Sequence, residues 1–166
     1  KASGEREVLR HGGHLVLRAS LMFGPAINGR PSFFDQQMHA LRSRSSCQLF
    51  SDEWRTPLDL KTAAHGILEA TFSDRTGLLH LAGPERMSRL DMGQRLARVL
   101  GAANTTITPV SRDDFPTAEP RPRDTSLCCD SWAEQFPAFS RPTYEEALQA
   151  MGVNEQWQGE PTDRDG

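Results

Sequence analysis

Apolar residues along this chain come in short blocks, set apart by Gly, Pro and charge. GEREVLRHGG reads as the end of a helix that Gly12 and Gly13 stop. HLVLRAS, residues 14–20, is a nearly continuous apolar run, the pattern of a strand covered on both faces. FGPAINGRPS, residues 23–32, is a loop by its Gly, Pro and Asn content. In SFFDQQMHALRS, residues 32–43, Phe34, Met38 and Leu41 recur at helical spacing and predict one apolar helix face. A brief strand, CQLF, and a loop, SDEWRTP, follow. DLKTAAHGILEATF, residues 59–72, predicts a helix that turns Leu60, Ala63, Ala64, Ile67 and Leu68 inward.

A second apolar strand, GLLHLAG, residues 77–83, runs into the turn GPER. Ser88 and Asp91 form a capping-box pattern before RLDMGQRLARVLG, whose stripe is Leu90, Leu96, Ala97 and Leu100. TTITPV, residues 105–110, predicts an edge strand, because Pro109 has no N–H for a ladder. Residues 111–123 are rich in Pro and charge and predict a loop that needs company to be ordered. Thr143 and Glu146 cap a last helix, TYEEALQAM, and the residues from Gln156 on are polar and predict a disordered tail. Strand and helix alternate, so the fold class is α/β. The two long strands read as members of a parallel sheet larger than this chain supplies, an incomplete parallel sheet with flanking helices.

Composition narrows the function. The chain has 166 residues, a formal net charge of −3 and 37% apolar residues, with a mean hydropathy of −0.56. No basic field points to nucleic acid or to an anionic membrane. No apolar run approaches the ~20 residues of a membrane span. Nor does the charged opening KASGEREVLR read as a signal peptide. Cys47, Cys128 and Cys129 lack the spacing of a disulfide framework. Neighbouring Cα atoms lie ~3.8 Å apart, too close for a relaxed disulfide. Free thiols in a reducing cytoplasm are the reading, and the expected location is cytoplasmic. His11 and His14 have no further ligands at zinc spacing, so no metal site is expected. His65 and His80 read as core or edge residues. No G-x-S-x-G elbow supports a serine hydrolase, and no glycine-rich dinucleotide loop follows a strand.

Five segments occur in a telling order: KASGE, LVLRASLMFGP, LFSDEWRTPLDL, GLLHLAGPERMSR and RPRDTSL. The series resembles the second half of the extended short-chain dehydrogenase/reductases that act on nucleotide-activated sugars, most of all the dTDP-4-dehydrorhamnose reductase group. The likeness runs from Lys1 to about Met151. It implies the C-terminal part of an NAD(P)-binding Rossmann-like enzyme. Residues 1–155 would be the substrate-binding portion and 156–166 a polar tail. In that family a Lys before xxGE closes the catalytic Tyr-xxx-Lys motif, so the resemblance makes Lys1 the catalytic lysine. There it would draw the Tyr phenol, ordinarily near pKa ~10, towards neutral pH as a fixed cation.

The resemblance also assigns binding roles. Ser20, Leu21 and Gly24, in the RASLMFGP stretch, would lie at the cofactor, NADP or NAD, where a strand ends. Arg55 and Arg121 would hold the diphosphate of a nucleotide-diphosphate sugar, since a planar guanidinium can grip two phosphate oxygens at once. Phe34 would touch the substrate. Three positions depart from the family pattern: Phe23 where Tyr is common, Thr62 where an Asp is usual, and Cys128 where an Asp follows the RPxDxSL Leu.

The parent enzyme would reduce a 4-keto sugar nucleotide. This chain alone, with neither the Tyr nor the glycine-rich loop, is expected to be inactive and not to hold the dinucleotide. Its expected partner is the missing N-terminal Rossmann half, with a homodimer possible. The same segments also resemble the regulatory beta subunit of methionine adenosyltransferase. A regulatory protein and an inactive truncated product are therefore the alternatives to a reductase.

Overall fold

A computed structural model describes residues 2–27, 29–102, 104–115 and 122–154 of the chain. Helix α1 (Ala2–Arg10) leads into strand β1 (Leu15–Ala19). A two-residue strand, β2 (Met22–Phe23), precedes helix α2 (Phe33–Arg42). Then come β3 (Cys47–Phe50), β4 (Trp54–Arg55), β5 (Leu58–Asp59) and α3 (Leu60–Thr71). Strands β6 (Gly77–Leu81) and β7 (Met87–Ser88) lead to α4 (Arg89–Val99) and β8 (Ile107–Val110). A 3₁₀ turn (Arg112–Asp114), α5 (Asp130–Gln135) and α6 (Tyr144–Ala150) complete the chain.

The predicted apolar strands pair with each other. β1 lies parallel to β6 in the register Leu15↔Gly77 through Ala19↔Leu81. Among the described residues the opposite edge of β1 has no partner. β3 and β8 form a second parallel pair, which among the described residues leaves Pro109 on a strand with one neighbour. Two-residue pairs stitch the loops together: β2 with β5 in parallel, β4 with β7 antiparallel. So short a strand has no period to read, and SDEWRTP carries no strand signal in its sequence.

Two apolar clusters hold the fold. One joins α2, α4 and α6 through Phe34, Met38, Leu41, Met92, Leu96 and Leu148. The other lies between α3, β6 and α5 around Trp132, whose ring centroid is 4.6 Å from that of Phe136. Burying one such side chain contributes roughly 1.5–3 kcal/mol. The helix starts follow the sequence. Ser88 with Asp91, and Thr143 with Glu146, form complete capping boxes. Ser32 with Asp35 forms another.

Helix α3 differs from its predicted orientation. Ala63, Gly66 and Ala70 face inward, while Ala64, Ile67 and Leu68 are exposed. Both stripes are apolar, so periodicity cannot choose between them. Close approach chooses: a Cβ on Gly66 would stand 2.8 Å from Leu81 Cδ1. Only the small-residue stripe lets the helix lie on β6. Ile67, Leu68 and Phe72 are left uncovered, Phe72 at 86% exposure. In α4 the stripe is carried by Met92 and Gly93 beside Leu96 and Ala97, and Leu90 is half-buried. The predicted tail from Gln156 and the middle of the loop before Pro122 lie outside the described residues.

Candidate functional site

Four of the five singled-out segments meet around β4, and Thr56 is where three of them touch. Its Oγ1 lies 3.0 Å from the Ser20 hydroxyl at the end of β1. The same oxygen accepts a hydrogen bond from the Leu127 N–H at 3.1 Å. Thr56 is buried, so its hydroxyl is a hub joining the RAS, WRTP and RPRDTSL segments. The backbone adds to this. The Trp54 N–H donates to the Arg123 carbonyl at 2.7 Å, and the Thr125 N–H donates back to Trp54 at 3.1 Å. The GPERMSR segment joins through the pairing of β7 with β4.

Arg86 reinforces this junction. Its guanidinium sits 4.2 Å over the Trp54 ring and pairs with Asp124 at 2.7 Å. The Asp124 carboxylate also accepts from the Ser126 hydroxyl at 2.6 Å and the Ser126 N–H at 2.8 Å. Those Ser126 bonds, and then Arg86, bring the Asp124 pKa down to about 2. A carboxylate whose folded pKa is depressed stabilises the fold above its unfolded value of ~3.9. That contribution is lost as pH falls towards 2. Carbon-detected NMR of the Asp124 carboxyl should show this low midpoint, and Ser126→Ala should move it back towards the ordinary carboxylate range. An unmoved midpoint in Ser126→Ala would show that these bonds do not set it.

Beside the junction lies a cluster of buried charge. Glu53 and Arg55 flank Trp54, and Arg89 opens α4. Glu53 Oε2 is 3.3 Å from Arg55 Nη2 and 3.8 Å from Arg89 Nε. The Glu53 carbonyl accepts the Arg89 N–H at 3.2 Å. Arg55 Nη1 donates to the Trp54 carbonyl at 2.6 Å and reaches the Arg123 carbonyl at 3.4 Å. The side chains of Glu53, Arg55 and Arg89 are 6%, 12% and 16% exposed. Burial, and then the charge of Arg55, hold the Arg89 pKa below its ordinary value. Arg89 lies 4.4 Å over the Phe33 ring. Burial also raises the pKa of Tyr144, beyond the usual phenol range.

At the carboxyl end of β1 is an open cleft of about 360 Å³, lined by Glu5, Arg18, Ser20, Leu21, Thr125 and Leu127 among others. Arg18 pairs with Glu5 at 2.7 Å across its wall. Strand ends of this kind are where open α/β sheets take ligands.

Of the residues to which the family resemblance assigns roles, Ser20 and Leu21 line this cleft. Gly24 follows at φ 146°, a conformation that favours glycine, with the Leu60 side chain 3.1 Å from where a Cβ would be. Arg55 stands at the junction, held by Glu53. Phe34 is in the core, 3% exposed, with its ring 6.1 Å from Phe23. Its neighbour Phe33 is the ring that reaches the surface, because the N-terminal turn of α2 points one residue inward and the next outward. Lys1 and Arg121 lie outside the described residues. His65 is exposed, and His80 Nδ1 lies 3.0 Å from the Cys128 carbonyl. Among the described residues no three His, Cys, Asp or Glu side chains gather as metal ligands. Glu53, Thr56, Arg86 and Arg89 were not singled out. The motif had marked Arg55 alone, and the others have a signal only once the segments are brought together.

This α/β fold is shared with solved dTDP-4-dehydrorhamnose reductases. dTDP-4-dehydrorhamnose reductase from Yersinia enterocolitica matches 84% of the chain with a TM-score of 0.73 at 23% identity. The Bacillus anthracis dTDP-4-dehydrorhamnose reductase, solved in complex with NADP, matches 92% with a TM-score of 0.74 at 20% identity. Residues 1–156 match the RmlD substrate binding domain family, and the chain belongs to it. A curated relative, the probable low-salt glycan biosynthesis reductase Agl14 of Haloferax volcanii, is 27% identical over 139 residues, 82% of this chain and 46% of its own length. The chain spans about half the length of these relatives: 46% of the Haloferax protein, and 49% and 53% of the two reductases. Among the described residues no helix is long and apolar enough to cross a membrane.

Proposed function

We propose that this chain is the sugar-nucleotide-binding portion of an NAD(P)-dependent reductase of the dTDP-4-dehydrorhamnose reductase type, acting on a 4-keto sugar nucleotide. One observation carries the reading beyond family membership. Ser20, Thr56 and Leu127 tie three separate motifs to one cleft at a strand end. A nicotinamide would supply hydride. The residues here fit one edge of such a cofactor: an open cleft with the Ser20 hydroxyl in its wall and a glycine where the chain turns away. Arg55 and Arg121 bind the substrate diphosphate, and Lys1 holds the proton-donating Tyr in its ionisable range. Residues 1–155 form this portion, followed by the polar tail.

The reductase reading is tested by following NADPH oxidation by the full-length protein with a dTDP-4-keto-6-deoxy sugar. Turnover is expected; its absence with this and related keto-sugar nucleotides would sink the reading. A hydrogen bond to a charged group contributes ~1.5–3 kcal/mol. Arg55→Ala and Arg121→Ala should therefore each raise the substrate KM about ten- to a hundredfold. The KM for NADPH should move far less. If both variants keep the wild-type substrate KM, the diphosphate assignment is wrong.

The partner of this portion is an N-terminal Rossmann half that completes the sheet. In its support, β1 has an edge with no described partner, and Ile67, Leu68 and Phe72 form an exposed apolar stripe on the helix over the same sheet. Such an edge and stripe invite association. The 166-residue chain, made alone, should therefore scatter light as dimers or larger species at micromolar concentration. A clean monomer with a sharp melt would count against the missing half.

A further inference from the structure

We propose that Arg89 and Arg55 form one anion subsite for the two phosphates of a nucleoside diphosphate, with Glu53 as the positioning residue that holds both guanidiniums. The inference rests on the nucleotide-sugar reading and extends it to a residue that no motif marked.

Charge balance is the first argument. Among the described residues one carboxylate serves two mostly buried guanidiniums, so these three side chains carry a net positive charge. Buried charge without a partner is costly, and a bound anion would complete it. The second argument is position. Arg89 is the first residue of α4, just after the Ser88 cap. The helix dipole is positive at that end and favours an anion over a cation. The dipole disfavours an arginine there, and Glu53, at 3.8 Å, is shared with Arg55.

Unsatisfied groups are the third argument. Among the described residues Arg89 Nη1 is buried with no hydrogen-bond partner, and so are Glu53 Oε1 and the hydroxyl of Tyr144, a residue 2% exposed. Burial of donors is normally accompanied by bonding. The Tyr144 ring lies 4.6 Å from Phe23, and Phe23 6.1 Å from Phe34, the neighbour of the Phe33 ring beneath Arg89. The Phe33 ring centroid is 4.4 Å from the Arg89 guanidinium carbon and Phe33 is 39% exposed, which marks where the cluster meets the surface. Two guanidiniums side by side match two linked phosphates better than a single one, since each can take a pair of oxygens.

The test titrates the full-length protein with thymidine diphosphate, thymidine and inorganic pyrophosphate. In Arg89→Gln, thymidine diphosphate affinity should fall about ten- to a hundredfold while thymidine binding stays put. Pyrophosphate should compete with thymidine diphosphate in the wild type and lose that ability in the variant. Should Arg89→Gln fail to fold, Arg89→Lys carries the test, because it keeps the charge and loses the fork. A loss of at least about threefold supports the subsite, and an affinity within about twofold of wild type overturns it. If Arg55→Gln weakens the diphosphate and a folded Arg89 variant does not, the role of Arg89 is refuted and the nucleotide-sugar reading stands. If the wild type binds no thymidine diphosphate, both fail together.

Discussion

Glu53→Gln is expected to lower stability by about 3–5 kcal/mol, the usual cost of removing one partner of a buried ion pair. The loss arises because Glu53 Oε2 is the carboxylate oxygen between Arg55 and Arg89, with side chains 12% and 16% exposed. A neutral amide leaves two guanidiniums facing each other with no negative charge between them. Repulsion would push one towards solvent and pull β4 away from the start of α4, where the Glu53 carbonyl accepts the Arg89 N–H at 3.2 Å. For a chain of this size each kcal/mol is worth ~2–4 °C, so the melting temperature should drop by roughly 6–20 °C. Thermal unfolding followed by circular dichroism measures it. A shift of only a degree or so would mean that both arginines already reach water, and that the cluster is a surface network rather than a buried one.

Gly83→Ala should be as damaging, for a steric reason. A Cβ at Gly83 would fall 1.8 Å from the Pro57 carbonyl oxygen and 2.9 Å from its carbon. Both are backbone atoms, so no side chain can swing aside. The Gly83 N–H also donates to the Thr56 carbonyl at 3.1 Å. Ala would separate the end of β6 from the Thr56–Pro57 segment and break that bond. Overpacking costs about 1–3 kcal/mol and sometimes more, and the lost bond adds ~1 kcal/mol. Because Thr56 joins three motifs, substrate binding should fall along with stability. The control is Gly4→Ala in α1, where nothing lies within 4 Å. Helix propensity there favours Ala by ~1 kcal/mol. Parallel melts and soluble yields of the two variants decide the matter. Equal behaviour would show that the β6 end can move away freely.

Much of the architecture follows from local chemistry. The capping boxes at Ser88 and Thr143 were legible because a hydroxyl and a carboxylate three residues apart satisfy the free N–H groups of a helix start wherever it sits. Strands β1 and β6 were legible as members of a parallel sheet, because such strands are apolar throughout; that they pair with each other was not. Family membership was legible in the order of short motifs along the chain.

Other features depended on distance in space rather than along the chain. Both stripes of α3 are apolar, and only the contact of Gly66 with Leu81 selects the inward one. Phe33 and Phe34 are adjacent and identical, yet the core takes Phe34 and leaves Phe33 under Arg89. Thr56 joins segments 36 and 71 residues away, and no local pattern encodes such a contact. Arg89 reads in sequence as one more polar residue on a helix. Its meaning comes from Glu53 and Arg55, which the antiparallel pairing of β4 with β7 brings beside it. The sequence by itself determined which segments become helix and strand, because backbone hydrogen bonding and burial are settled within a few residues. Tertiary structure alone decided which charges share one buried space, because that depends on the energy of bringing distant segments together.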